Sequence, residues 1–66
     1  MTTAEVVRNW RVAKGITQAE LAQRAGTGQA TISRIESGKL IPTLPVLERV
    51  AAALDCHVVL DFAPRT

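Results

Sequence analysis

Apolar residues recur along this chain with two different periods. From about residue 4 to residue 54 they return three and four apart, as on one face of a helix. Val6, Val7, Trp10 and Ala13 mark a first helix running from about Ala4 to Lys14. Two short helices follow over residues 17 to 38, carrying Leu21 with Ala22 and then Ile32 with Ile35. Leu44, Leu47, Val50, Ala51 and Leu54 form the stripe of a fourth. After Leu54 the period drops to two. Val58, Leu60 and Phe62 alternate with His57, Val59 and Asp61, which predicts a strand within residues 56–63, ended by Pro64. The expected core is Val7, Trp10, Ile16, Leu21, Ala22, Ile32, Ile35, Leu47, Val50 and Leu54.

Polar residues punctuate this pattern where helices must begin and end. Thr2 with Glu5, and Thr17 with Glu20, have the spacing of capping boxes, in which each side chain satisfies the other's backbone N–H. Thr43 caps the fourth helix, with Pro45 in its first turn, where a missing N–H costs nothing. Gly15, Gly26 and Gly38 supply the stops. Between the second and third helices only Thr27 and Gly28 remain, so the two must cross steeply, as a helix-turn-helix does. Ile32 and Ile35 turn one side of the third helix inward. Its other side offers Gln29, Ala30, Thr31, Ser33 and Arg34, small or polar groups able to reach base edges and phosphates.

Thr17-Gln18, Glu20-Leu21-Ala22, Gly26, Thr31-Ile32-Ser33, Ile35-Glu36 and Gly38 together resemble the Cro/repressor-type helix-turn-helix family, often called XRE. The resemblance covers residues 6 to 54. It implies an all-α, four-helix lambda-repressor-like domain over residues 1–55, with the helix-turn-helix at 17–38 and a recognition helix at about 29–37. It also implies double-stranded DNA as partner. Gln29 then contacts a base, and a glutamine can pair with both adenine N6 and N7. Thr31, Ser33 and Arg34 reach bases or phosphates, and Ala30 offers only a methyl. Gln18 opens the second helix, whose amides and dipole favour a phosphate. Thr27 and Lys39 flank the recognition helix as further phosphate contacts. Arg11 and Glu36 match a structural ion pair of the family.

The family pattern places a fifth helix where this chain has its alternating run. A lone strand leaves its backbone groups unpaired, and the sequence holds no other strand. A two-fold homodimer joined by strands carrying Val58, Leu60 and Phe62 is therefore expected. The plan also resembles HipB-like antitoxins, which would add a cognate toxin to the partners. The two readings are a sequence-specific repressor and an antitoxin that represses its own operon.

Charge and composition sharpen this picture slightly. The 66 residues carry a net charge of +2. Residues 1–39 hold six basic and three acidic groups, and residues 40–66 two and three, so the positive end coincides with the helix-turn-helix. A length of 66 residues points to one domain, and 47% apolar residues in so short a chain point to surface covered by a partner. No membrane span and no signal sequence are expected, and a single cysteine, Cys56, suits a reducing cytoplasm. Cys56 and His57 point to opposite faces of a strand and make neither a catalytic dyad nor a metal site. No enzyme activity, cofactor or metal is expected.

Overall fold

The computed structural model describes residues 1–65 and contains four helices: α1 (Thr3–Ala13), α2 (Gln18–Ala25), α3 (Gln29–Glu36) and α4 (Leu44–Ala53). Their starts follow from side-chain caps. The Thr2 hydroxyl accepts from the Glu5 N–H while Glu5 accepts from the Thr2 N–H, and Thr17 and Glu20 repeat the exchange at α2. Thr43 accepts from the Val46 N–H at 3.4 Å to open α4. Gly26 ends α2 at φ +70°, a left-handed conformation that residues with a Cβ adopt only under strain. The Thr27 N–H then bonds back to the Ala22 carbonyl at 2.9 Å, which closes the turn into α3.

α2 packs on both α3 and α4, and α1 packs on α3. The core between them is Val7, Leu21, Ala22, Ala25, Ile32, Ile35, Val50 and Leu54, with Ile16, Val46, Leu47, Ala53 and Cys56 partly buried against it. Ala25 is a core residue that the periodicity left out. It follows Leu21 and Ala22 on the same face, where a small side chain lets α2 approach its neighbours.

Trp10 departs from expectation, being 48% exposed. It shares a side of α1 with Val7, but only Val7 reaches the core. Trp10 faces an open groove of about 620 Å³ that is lined by α1, by α4 and by residues 54–60 of the C-terminal segment. Residues 56–65 form neither helix nor strand. The expected strand through Val58, Leu60 and Phe62 is thus absent among the described residues of the single chain. The physical reason is that ladder hydrogen bonds need a second strand, and none of the described residues supplies one. Val58 is half-buried, whereas Leu60 and Phe62 are exposed. The segment leaves α4 through Asp55, at φ +58°. No helix among the described residues is long and apolar enough to cross a membrane.

Candidate nucleic-acid interface

α3 has two chemically distinct sides. Ile32 and Ile35 are fully buried and fix its rotation about its own axis. Gln29, Ala30, Ser33, Arg34 and Ser37 are exposed and recur at helical spacing, so they form one outward stripe. Thr31 lies at its edge and is half-buried. Ser37 extends the stripe one turn beyond the residues singled out from sequence. The spacing from Gln29 through Ser33 carried that signal. Its hydroxyl donates to the Arg34 carbonyl at 3.2 Å, just past the end of the helix.

The far end of α3 is clamped to the other helices. Arg11 on α1 grips Glu36 with two parallel bonds, Nε to Oε2 at 2.6 Å and Nη2 to Oε1 at 2.9 Å. The Arg11 Nη1 donates to the Ile16 carbonyl at 2.9 Å, so one guanidinium joins α1, the α1–α2 loop and α3. Both side chains are shielded, at 15% exposure for Arg11 and 4% for Glu36. Gln18 is half-buried, and its Nε2 donates to Glu36 Oε1 at 3.2 Å. Its side-chain N–H is therefore directed inward rather than toward a phosphate. Burial pushes the Glu36 carboxyl up, but the bonds from Arg11 and Gln18 and the charges of Arg11 and Arg8 outweigh it. The net position is below the ordinary carboxylate range.

The N-terminus of α3 has no side-chain cap, because Gly28 stands at the cap position. The sequence puts a hydroxyl nearby only at Thr27, which is half-buried. Lys39 is exposed at the opposite end, beyond Gly38. The structure thus brings Gln29, Ala30, Ser33 and Arg34 onto one surface, with Thr27 before it and Lys39 after it. Cys56 and His57 lie on the separate C-terminal segment, where the Cys56 thiol donates to the Leu54 carbonyl at 3.3 Å.

The family model described as Helix-turn-helix (HTH_3) matches residues 7–60. The match runs past the division expected between residues 55 and 56. A Methanothermobacter thermautotrophicus protein described as an uncharacterised HTH-type transcriptional regulator is 41% identical over 57 residues, spanning 86% of this chain and 83% of that protein. A second such regulator, y4dL of Sinorhizobium fredii, is 44% identical over 54 residues. That match spans 82% of this chain but only 28% of the longer relative. Among solved structures, the restriction-modification controller protein C.AhdI from Aeromonas hydrophila superposes with a TM-score of 0.81 at 29% identity. It aligns over 83% of this chain and 80% of the controller. A chain of the complex of the SinR and SinI proteins gives 0.79 at 32% identity, over 85% of this chain and 55% of that one. With its helix-turn-helix, its outward polar stripe and these relatives, the chain belongs to the Cro/XRE-type family of helix-turn-helix DNA-binding proteins.

Proposed function

We propose that this protein is a sequence-specific transcriptional repressor that binds a near-palindromic operator as a homodimer in the cytoplasm. The outward stripe of α3 carries the reading. Gln29, Ala30, Ser33 and Arg34 face away from a core that fixes the helix on its other side, as a helix inserted in the major groove requires. Gln29 and Arg34 make the base contacts, with Thr31 at the edge of the face. Thr27, Lys39 and the first backbone amides of α2, at Gln18, take phosphates. The chemistry is binding alone, with no catalytic step.

Selection of binding sites from random duplex DNA at physiological salt tests this. An inverted repeat with half-sites about one helical turn apart, roughly 34 Å, is the expected outcome. Weak, salt-sensitive binding with no enriched sequence would refute specific recognition.

A second reading, an antitoxin that neutralises a toxin and represses its own operon, draws support from the exposed apolar residues of the C-terminal segment. A co-transcribed toxin that co-purifies with the protein would favour it. The DNA-binding surface would be the same in both cases.

A further inference from the structure

The helices α2 and α3 are joined at one end by Thr27 and Gly28, while their far ends, at Gln18 and Glu36, share no covalent link. Each helix has 8 residues, so each is about 12 Å long. A change of roughly 5° at the turn therefore moves the open end by about 1 Å. A shift of that size breaks a hydrogen bond to a base edge, whose donor and acceptor must stand about 2.7–3.2 Å apart.

Apolar packing leaves the first turn of α2 unsecured. The buried residues of α2 are Leu21, Ala22 and Ala25, all beyond that turn, and Ala19 and Glu20 are exposed. The capping box between Thr17 and Glu20 satisfies the start of the helix from within and ties it to nothing else. Among the described residues, one side-chain hydrogen bond runs from α2 itself to another helix: Gln18 Nε2 donates to Glu36 Oε1 at 3.2 Å. The amide nitrogen must be the group that faces Glu36, since a carboxylate only accepts. Arg11 holds the same carboxylate from α1 and reaches back to the Ile16 carbonyl, but makes no hydrogen bond to α2. Gln18 is half-buried and the Glu36 side chain is 4% exposed, so water competes weakly for this bond.

We infer that Gln18 is a positioning residue for DNA reading: its side-chain amide spans the open end of the helix pair, holds Glu36, and so sets the angle of α3 against the phosphate-facing start of α2. This rests on the DNA reading proposed above. The side chain works through Glu36, while the backbone amide of the same residue takes the phosphate.

The strut is tested first in the free protein, by nuclear magnetic resonance of the full chain. Arg11, Arg8 and Gln18 all favour the charged form of Glu36. The Gln18 side-chain amide resonances should therefore move with the titration of the Glu36 carboxyl. Gln18→Met keeps the length of the side chain and removes the donor. It should keep the helical circular dichroism and shift the Glu36 midpoint upward. Amide resonances that ignore Glu36, or a midpoint unmoved in the variant, would overturn the strut.

DNA titration then separates positioning from phosphate contact. Against the selected site, Gln18→Met should lose affinity about tenfold, in line with one hydrogen bond to a carboxylate, while random duplex is bound as before. An equal loss on both DNAs would make the side chain a phosphate contact and overturn the inference. Gln18→Ala, which adds no bulk at the first position of the helix, should give the same pair of results. If the wild-type chain selects no sequence, the proposed function fails, and the Glu36 titrations still decide whether the strut exists.

Discussion

Glu36 shows how one residue can belong to the interface without touching DNA. Its carboxylate gathers Arg11 and Gln18 at the end of α3 while its side chain is almost fully shielded. Removing one member of such a pair strands the other in a poorly hydrated site, a loss of about 3–5 kcal/mol. Glu36→Ala should therefore lower the midpoint of urea unfolding before it alters the order of preferred DNA sites. A variant with unchanged midpoint and scrambled preference would contradict this assignment. Gln29→Ala should behave in the opposite way. Gln29 is exposed, so stability should hold while affinity for the selected site falls by about 1–3 kcal/mol and random DNA is bound as before. Acid should also loosen the clamp. Glu36 titrates below its ordinary value of 4.5 in the folded chain, so its contribution is complete above that pH. The contribution is lost as the pH falls through the lower, folded value. Glu5 and Glu20 shift the same way, through the bonds to Thr2 and Thr17. Urea midpoints should thus be level near neutrality and fall below about pH 4.5.

At the level of elements, the turn between α2 and α3 sets the angle of the reading helix. Gly26 sits at φ +70° with nothing within 4 Å of where a Cβ would stand. Gly26→Ala therefore suffers backbone strain alone, about 1–2 kcal/mol, and Gly26→Asn should lose less because asparagine tolerates the left-handed region. Thermal or urea unfolding of the two variants would check the order. The element boundaries were legible in the sequence because they depend on neighbours three or four residues apart. Thr2, Thr17 and Thr43 begin helices, and Gly15, Gly26 and Gly38 follow their ends, all through local hydrogen bonds and backbone angles. The outward face of α3 was legible for the same reason, since Ile32 and Ile35 fix the inward one. Trp10 was not. Periodicity placed it on the apolar side of α1 but could not say how closely α4 would approach that side. Gln18 was read only as a phosphate contact, because its bond to Glu36 spans eighteen residues and depends on how α2 meets α3.

For the whole molecule, the question is how a chain with a core of eight buried apolar residues among those described is held together. Small domains bury too little surface to be more than marginally stable alone. Dimerisation through the C-terminal arm would couple folding to association, so the melting temperature should rise with protein concentration. Leu60→Asp should weaken self-association and operator binding in parallel, measured by sedimentation and by DNA titration. A monomeric variant with full operator affinity would separate the two properties.

The exposed stripe of α3 has a consequence for how such a protein changes over generations. Gln29, Ala30 and Ser33 make no side-chain hydrogen bond among the described residues, and the fold rests on the other side of the helix. Replacements at exposed positions of this kind usually alter stability by less than about 0.5 kcal/mol. A lineage could therefore rewrite the sequence it recognises, one of these three positions at a time, while every intermediate still folds.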